Sequence, residues 1–385
     1  MAYSIQEARQ LVIKAGLKLV QSGLVARTWG NISARVSDTQ FVVTPKGRAY
    51  DSLKPNDIVL VNIADCSYEG DIKPSSEKGV HAASYRLRPK VNFVIHTHQE
   101  NASVFSVLGE DLILKNGDRS LFGLRVASAP YGISSTKKLT KNVAKTIADN
   151  PYSKAFLMKG HGAICLGASM EEAFDLAFAL EHAAEVEIRR LVNATSNDEV
   201  RELFIKKFTD DQRADAKDFG SSVRHDRVMT LTVDGKSENY AVDNRKADTS
   251  DIVNLHRSIY LSSDVNCIIY NTHPDVVAVS ASGKTLRPYL DDLAQISGVN
   301  IRCAEVKDIV KKLHNRNAVL LKGYGALCTG KDQEDAEAVS MILEKGCATE
   351  ILATLVKKRK PLGRFDAWIQ RLVYTHKYAK LKNRS

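Results

Sequence analysis

The sequence VNFVIHTH at residues 91–98 has a second, altered copy, NCIIYNTH, at residues 266–273. Both are apolar runs that end in polar residues, a pattern typical of a buried β-strand that runs into a turn. Only the first copy carries two histidines two residues apart, and such residues on a strand face the same side. The two segments therefore predict a duplicated fold with one metal-competent site and one that has been lost.

A second pair of segments supports the duplication. KGHGAICLG at residues 159–167 is matched by KGYGALCTG at residues 322–330, in the same order along the chain. A repeat of this length predicts two similar domains rather than a solenoid. Because residues 193–218 are polar and charged, we place the domain boundary there and expect the metal-competent domain at residues 1–200. A degenerate domain with a basic C-terminal tail is expected at residues 220–385.

Length and composition agree with a globular protein of two domains. The 385 residues exceed what one hydrophobic core usually supports. No apolar run approaches the ~20 residues that span a bilayer, and the first residues lack the layout of a signal peptide. We therefore expect a cytoplasmic protein with no membrane partner. The six cysteines lack CxxC spacing, which predicts reduced thiols and no zinc knuckle.

The net charge of +10 is partly concentrated in the C-terminal tail, beginning with KKRK at residues 357–360. A basic tail is compatible with nucleic acid, but no RNA-binding aromatic motif or zinc finger accompanies it. A solvated tail, or a field that attracts phosphate, is the favoured interpretation.

Local patterns predict a mixed α/β order of elements. Helices are expected at residues 5–23, 76–87 and 169–192, where apolar residues recur at helical spacing. Strands are expected at residues 31–36, 40–44, 57–63, 93–96 and 155–158, which are rich in β-formers and bounded by turn residues.

Four residues of the first domain have side chains that are able to bind a metal ion. His96 and His98 can offer two imidazoles to one ion, and His161 follows a second apolar strand and can add a third. Glu77 supplies a carboxylate. Three histidines with one carboxylate suit Zn²⁺ at a catalytic site, although Mn²⁺, Co²⁺ and Fe²⁺ accept similar ligands.

The chain resembles the class II aldolase/adducin family. The resemblance covers roughly residues 4–192 and rests on five motifs that occur in the family's order. They are Gly30-Asn31-Ile32-Ser33, Thr44-Pro45-Lys46-Gly47, Pro74-Ser75-Ser76-Glu77, His96-Thr97-His98 and Gly160-His161-Gly162. The resemblance implies a three-layer α/β/α domain with a mixed, largely antiparallel central sheet, here duplicated in tandem.

The same resemblance implies a chemistry. His96, His98 and His161 would bind zinc, while Glu77 would act as the acid/base and as a resting fourth ligand. The expected reaction is retro-aldol cleavage of a small phosphorylated ketose, in which the cation stabilises an enediolate. The substrate would be a small phosphorylated sugar or a sugar acid.

The family's phosphate pocket corresponds to small, hydroxyl and amide residues, which allow backbone groups to approach an anion. These positions are Gly30, Asn31, Lys46, Gly47, Ser75 and Ser76. Without the other motifs, the two glycines would equally well mark turns that need positive φ. Lys46 departs from the family pattern, which has a small hydroxyl residue there.

The family's catalytic tyrosine has no direct counterpart, because the chain reads Lys115-Asn116-Gly117-Asp118 at that place. Tyr131 is the nearest tyrosine and Tyr374 lies in the tail, so both are candidates. A packed ring at Tyr131 is the favoured interpretation. For the tail we favour an amphipathic packing helix that contains Phe365, Trp368, Ile369 and Leu372.

Four alternatives remain open. Three are the related decarboxylase, dehydratase and epimerase branches of the family, which share the metal chemistry, and epimerases carry Asp where this chain has Glu77. The fourth is a non-catalytic, adducin-like interaction scaffold.

The second copy itself lacks most site residues. Matching the two copies by sequence places Asn271 at the position of His96, His273 at that of His98, Tyr324 at that of His161 and Ile252 at that of Glu77. The same matching finds no counterpart of the Gly30–Ser33 motif. A homo-oligomer is expected, either a dimer that forms a pseudo-tetrameric ring or a tetramer.

Overall fold

A computed structural model describes residues 3–25, 29–114, 119–195, 198, 217–243, 250–357 and 360–378. The chain forms two compact units. The first comprises Met1–Leu191, Leu290–Asp292 and Leu372–Ser385, and the second comprises Val192–Tyr289 and Leu293–Arg371. Each unit is described by itself.

The first unit is built on a mixed eight-stranded sheet. Its strands are β1 (Asn31–Arg35), β2 (Gln40–Val43), β3 (Val59–Asn62), β4 (Phe93–Thr97), β5 (Leu112–Ile113), β6 (Arg125–Ala129), β7 (Ala155–Met158) and β8 (Gly162–Gly167). The spatial order is β3-β2-β1-β4-β8-β7-β6-β5. All neighbours are antiparallel except β6 and β7, which are parallel.

The helices of this unit precede, separate and follow the strands along the chain. They are Ile5–Gln21, Lys78–Leu87, Glu100–Ser106, Arg119–Phe122, Lys137–Asp149 and Met170–Asn193, with 3₁₀ turns at Tyr50–Ser52 and Pro55–Asp57. Most expected helices and strands of this half are present, with ends shifted by a residue or two.

Local sequence explains where the first helix begins and ends. The hydroxyl of Ser4 accepts a hydrogen bond from the backbone N–H of Glu7 at 3.2 Å, which caps the start of the helix. Gly23 follows the last turn with φ +71°, a conformation that favours glycine. The cap and the glycine confine the helix to Ile5–Gln21.

Packing places helices on both faces of the first sheet. On one face, helices Lys78–Leu87 and Lys137–Asp149 share a core in which Tyr85 and Val143 meet Phe156 of β7. Full burial of a side chain such as Phe156 stabilises the fold by about 1.5–3 kcal/mol.

On the opposite face, Ile5–Gln21 contacts β1 and β2, and Glu100–Ser106 contacts β7 and β8. The sheet is therefore the middle of three layers.

The second unit repeats this architecture. Its strands are β9 (Ser221–His225), β10 (Val228–Val233), β11 (Lys236–Ala241), β12 (Cys267–Asn271), β13 (Cys303–Ala304), β14 (Ala318–Leu321) and β15 (Gly325–Gly330), in the order β11-β10-β9-β12-β15-β14-β13. Its helices are Asp251–Ser262, Pro274–Ala281, Asp291–Ser297, Ile309–Leu313, Gln333–Leu355 and Arg364–Val373, with a 3₁₀ turn at Val306–Asp308. The first two residues of Asp291–Ser297 and the last two residues of Arg364–Val373 belong to the first unit.

The two sheets have the same strand order, and in each the one parallel pair is the equivalent pair. Among the described residues, the second sheet has no counterpart of β5. The prediction of a tandem duplication of a mixed, largely antiparallel α/β domain is confirmed.

Strand register corrects one detail of the internal alignment. In the first unit His96 lies opposite Ile164, and in the second Tyr270 lies opposite Leu327. Ile164 and Leu327 are equivalent in the KGHGAICLG and KGYGALCTG segments. Tyr270, and not Asn271, therefore occupies the place of His96.

The same one-residue shift applies to His273. Gln99 is the N-cap of the helix that follows β4, and His273 is the N-cap of the helix that follows β12. The counterpart of His98 is therefore Thr272, and the sequence-based matching of His273 with His98 is wrong. With Tyr324 in place of His161, the second copy keeps none of the three histidines.

A buried polar network links the first sheet to helix Lys78–Leu87. The hydroxyl of Ser33 lies 2.6 Å from Nδ1 of His81 and 2.7 Å from the hydroxyl of Tyr85. All three side chains are buried. Hydrogen bonds among them offset the cost of removing these groups from water.

The second unit contains the same network. Ser222 lies 2.7 Å from both Nδ1 of His256 and the hydroxyl of Tyr260, and Nε2–H of His256 donates to the carbonyl of Phe219 at 2.9 Å. Ser222 is thus the structural counterpart of the serine in the Gly30–Ser33 motif. The expectation that the second copy lacks any counterpart of that motif is wrong for the serine.

The predicted helix in the tail is present at Arg364–Val373, but its apolar stripe is not buried. Phe365, Trp368 and Leu372 are exposed, whereas Ala367 and Gln370 are buried. The helix therefore packs through its small and polar side. Nowhere in the described parts of the chain is a helix long and apolar enough to cross a membrane.

Candidate metal centre

The three histidines of the first unit converge on one buried point. His96 is on β4, His98 directly follows it, and His161 lies in the tight turn between β7 and β8. Their ring centroids are 4.6–4.9 Å apart, and their candidate ligand nitrogens all lie within 4.8 Å of one another. All three side chains are buried.

Glycine allows the two strands that carry these histidines to come close. A Cβ on Gly162 would lie 2.2 Å from the carbonyl oxygen of Thr97, which no side chain tolerates. Gly160 has φ +66°, which shapes the turn that presents His161. The GHG motif thus has a backbone role on each side of the histidine.

Hydrogen bonds orient the imidazole of His96. Its Nδ1 lies 2.8 Å from the carbonyl oxygen of Ala163 and therefore donates to it. This leaves the lone pair on Nε2, which lies 2.9 Å from Nε2 of His98. A histidine whose second nitrogen is fixed by a carbonyl is oriented to bind a cation through the first.

Glu77 joins the histidine cluster from the end of helix Lys78–Leu87. Its carboxylate oxygens lie 2.9 Å from Nε2 of His161 and 3.2 Å from Nε2 of His96. Asn31 Nδ2 and Ser134 Oγ donate to the same carboxylate at 3.3 and 2.9 Å. The carboxylate is therefore held at the nitrogens by two further side chains.

Charges in this cluster shift several pKa values. Burial acts to raise the pKa of Glu77, but the charges of His161 and His96 hold it well below its usual range. Burial lowers the pKa of His96 well below its ordinary value. Burial would also lower the pKa of His161, but the carboxylates of Glu77 and Asp291 raise it to about 10.

The residues present fit a divalent transition ion. Nε2 of His161 is buried, and no described residue gives it a hydrogen bond of acceptable geometry, although a Glu77 oxygen lies 2.9 Å away. Three imidazole nitrogens and one carboxylate are the ligand types that Zn²⁺ accepts at sites that exchange a ligand. The cluster His96, His98 and His161 could therefore hold one ion, with Glu77 beside it.

Two aspartates that the sequence reading missed also reach the histidines. Asp291 Oδ2 lies 3.1 Å from Nδ1 of His161, and Asp292 Oδ2 lies 3.6 Å from Nδ1 of His98. Both aspartates are buried and belong to the first unit. In the sequence they read as acidic residues at the start of a helix, which gave no signal of a contact with the histidines.

The candidate phosphate-binding segments lie next to one another. An isolated β-bridge joins Pro45 to Pro74, which brings the Lys46–Gly47 turn beside Ser75 and Ser76. Gly47 has φ +67°, as its alternative role in a turn requires.

Gly30 meets a different requirement. A Cβ there would lie 2.7 Å from the carbonyl oxygen of His96, so the residue is small because β1 and β4 approach closely. The predicted alternative, a turn with positive φ, does not apply to Gly30, which is absent from the positive-φ glycines of the described chain.

Two of the other candidates are engaged with Glu77. The Asn31 side chain spans Glu77 and His81, with its Oδ1 2.5 Å from Nε2 of His81. Ser75 Oγ accepts from the backbone N–H of Glu77 at 3.2 Å. The N-cap of the following helix is Glu77, which corrects the expectation that the helix starts at Ser76.

The tyrosine candidates have different surroundings. The hydroxyl of Tyr131 donates to Asp291 Oδ1 at 3.0 Å, so it is linked to His161 through one carboxylate. The Tyr374 ring centroid lies 6.4 Å from that of Trp29, the residue before Gly30. The segment 115–118, where the family's tyrosine was sought, lies outside the described residues.

Comparison with known proteins identifies the class. The model of the Class II Aldolase and Adducin N-terminal domain matches residues 10–188 and again residues 219–351. The chain belongs to this family, and both halves carry its domain.

Among curated proteins, the chain is 32% identical over 183 residues to 5-deoxy-D-ribulose 1-phosphate aldolase of Bacillus thuringiensis serovar kurstaki, a match that covers 47% of this chain and 84% of that protein. It is 34% identical over 185 residues to methylthioribulose-1-phosphate dehydratase of Pectobacterium carotovorum, with 45% and 90% covered. It is 31% identical over 185 residues to L-fuculose phosphate aldolase of Escherichia coli K12, with 48% and 83% covered.

Among solved structures, an L-fuculose 1-phosphate aldolase matches with 29% identity and a TM-score of 0.47. The match covers 54% of this chain and 98% of that one.

Proposed function

We propose that the chain is a metal-dependent lyase that cleaves a small phosphorylated ketose, with its catalytic domain at residues 1–200. The observation that carries the proposal is the buried cluster of three histidine nitrogens within 4.8 Å, with the Glu77 carboxylate 2.9 and 3.2 Å from two of them. Relatives whose names include a sugar-phosphate aldolase and a dehydratase support the same class of substrate.

The proposed roles follow from the contacts. His96, His98 and His161 hold the ion, and Glu77 moves the proton. When bound, Zn²⁺ or a similar ion would polarise the ketose carbonyl and stabilise the enediolate that remains after cleavage. Because Asn31 and Ser134 both donate to Glu77, the carboxylate is held beside His96 and His161.

The bond changes balance in the cleavage direction. The bond between C3 and C4 of the ketose breaks, and its electron pair remains on the enediolate. The C4 hydroxyl gives up its proton and becomes an aldehyde, and C3 then accepts a proton. Glu77 is the group that we assign to proton transfer, because its carboxylate lies 2.9 and 3.2 Å from two of the candidate metal ligands, beside the ion that would hold the substrate.

We assign phosphate recognition to Gly30, Asn31, Lys46, Gly47, Ser75 and Ser76. The bridge between Pro45 and Pro74 supports this assignment, since it brings two of the three segments to one place. Lys46 adds a positive charge that suits either a phosphate or a sugar acid.

A dehydratase is the second candidate, since the dehydratase of Pectobacterium carotovorum is 34% identical to this chain over 185 residues. Dehydration begins at the same type of substrate and loses water instead of an aldehyde. Mass spectrometry of the products of ketose 1-phosphates separates the two reactions, because cleavage yields two smaller molecules and dehydration yields one that is lighter by one water. A decarboxylase would release carbon dioxide, and an epimerase would leave the mass unchanged.

The first test is metal content by elemental mass spectrometry on the full chain purified without added metal. About one transition ion per chain, lost in both His96→Ala and His161→Ala, is the expected result. An absence of metal in the parent after incubation with Zn²⁺ would overturn the lyase proposal and favour an adducin-like scaffold.

We also propose a homo-oligomer, either a dimer or a tetramer of the chain. The mass in solution, measured by light scattering, tests this. A monomer mass would overturn it.

A further inference from the structure

Each histidine of the cluster has its second nitrogen beside a protein oxygen. Nδ1 of His96 faces the carbonyl of Ala163 at 2.8 Å. Nδ1 of His161 faces Asp291 at 3.1 Å, and Nδ1 of His98 faces Asp292 at 3.6 Å. All three rings therefore have their Nε2 atoms available for one central ion.

The segment that carries the two aspartates is fixed beside the histidine turn. The backbone N–H of Asp291 donates to the carbonyl of Gly160 at 2.9 Å, one residue before His161. Tyr131 donates its hydroxyl to Asp291 Oδ1 at 3.0 Å. A buried carboxylate is costly unless hydrogen bonds satisfy it, and the Tyr131 hydroxyl and Nδ1 of His161 supply them for Asp291.

We infer that Asp291 is a positioning residue for the metal centre, which holds His161 in the tautomer and orientation that present Nε2 to the ion, and that Asp292 acts on His98 more weakly, through its charge at 3.6 Å. A carboxylate behind a histidine ligand fixes its ring and makes its free nitrogen a stronger donor, and its loss typically weakens metal binding 10–100-fold. The inference rests on the proposed function. Nothing in the sequence motifs marks these aspartates, which lie outside the first match to the family model.

The test is the dissociation constant for Zn²⁺ of the full chain, measured by competition with a chromogenic chelator at fixed pH. Asp291→Asn keeps the shape of the side chain and removes its charge, and we expect its dissociation constant to rise about 10–100-fold. Asp292→Asn should raise it less, because its carboxylate is 3.6 Å from His98.

Glu181→Gln is the matched control. Glu181 is a carboxylate of the same unit that bonds to the backbone N–H groups of Asn101 and Ala102, not to the histidines. Its replacement also removes a largely buried charge, so any general loss of stability should appear here too. Its dissociation constant for Zn²⁺ should stay within about threefold of the parent's. This change is smaller than the tenfold or greater rise expected when a carboxylate behind a histidine ligand is removed.

The outcomes separate the two proposals. If the parent binds Zn²⁺ and both aspartate variants bind it as tightly as Glu181→Gln, the positioning role is refuted while the lyase proposal stands. If the parent binds none, the lyase proposal fails first. If Asp291→Asn does not fold by circular dichroism, Asp291→Glu serves instead, since it keeps the charge but cannot keep the 3.1 Å contact, and unchanged affinity in that variant refutes the role.

A second readout is the absorption spectrum of the cobalt-substituted protein, which depends on ligand geometry. We expect Asp291→Asn to change that spectrum relative to Glu181→Gln. Identical spectra would contradict a positioning role.

Discussion

His256 should make the stability of the second unit depend on pH between about 7 and 4. Its ring is fully buried, with Nε2–H donating to the carbonyl of Phe219 and Nδ1 facing the hydroxyl of Ser222. Burial lowers the pKa of His256 from 6.5 to about 4. Between these values the unfolded chain binds the proton and the folded chain does not, so the free energy of unfolding falls as the pH falls.

The magnitude follows from the pKa difference. One pKa unit corresponds to about 1.4 kcal/mol, so the whole shift is worth about 3 kcal/mol. As the pH falls, most of this stabilisation is lost before His256 is protonated in the folded chain. Between pH 7 and pH 5 the free energy of unfolding should fall by about 2 kcal/mol because of His256 alone.

The assay compares the parent with His256→Gln, which cannot titrate, by urea unfolding at pH 7, 6 and 5. The chain has two tryptophans, so a Trp29→Phe background leaves Trp368 as the reporter for the second unit. We expect the parent to lose about 2 kcal/mol more than the variant over this range.

Tyr260→Phe is the control, because it removes a hydroxyl from the same network and leaves His256 in place. It should lower the free energy of unfolding by about 1 kcal/mol at every pH and keep the pH dependence. Equal pH dependence in the parent and in His256→Gln would refute the reasoning.

Glu77→Gln should lower turnover by about 10²–10⁴-fold, with metal content still measurable by elemental mass spectrometry; full activity would exclude Glu77 as the proton-transfer group. Gly162→Ala should destabilise the first unit by at least about 1–3 kcal/mol in thermal unfolding, because its Cβ would lie 2.2 Å from a carbonyl oxygen of β4. Removal of metal by a chelator should lower the unfolding temperature, and Zn²⁺ at about 100 times its dissociation constant should restore about 2.7 kcal/mol; an unchanged melting curve would contradict a bound ion. A variant with Tyr270→His, Thr272→His and Tyr324→His should bind a second equivalent of Zn²⁺, and its failure to do so would count against the strand register as the guide to equivalence.

Much of the fold could be predicted because the repeated segments carry strong local signals. The strand of VNFVIHTH and the strand that precedes KGHGAICLG are buried and apolar, and both are present where the pattern predicts them. The sequence predicts a register between the copies that is wrong by one residue, because the final Thr-His of NCIIYNTH aligns with the Thr-His of the HTH motif. The connection before β12 is residues 263–266, one residue shorter than residues 88–92 before β4, and only strand pairing reveals the deletion.

The candidate site could be predicted only where its residues belong to recognisable sequence motifs. His96, His98 and His161 could be grouped from sequence because each ends or follows an apolar strand. Asp291 and Asp292 could not, since their contacts depend on a tertiary arrangement that brings residues more than a hundred positions away beside the histidines.

The two copies of the Ser-His-Tyr network show what duplication leaves intact. The positions of the three candidate metal ligands are occupied by tyrosine and threonine in the second copy, whereas both halves carry a buried histidine that contacts a serine hydroxyl. A redundant copy tolerates the loss of an ion. Loss of one member of the buried Ser-His-Tyr network would leave two hydroxyls in the interior without that hydrogen-bond partner. A buried histidine in a degenerate domain is therefore evidence of a conserved structural network. A search that only counts histidines would mistake it for the remnant of a catalytic site.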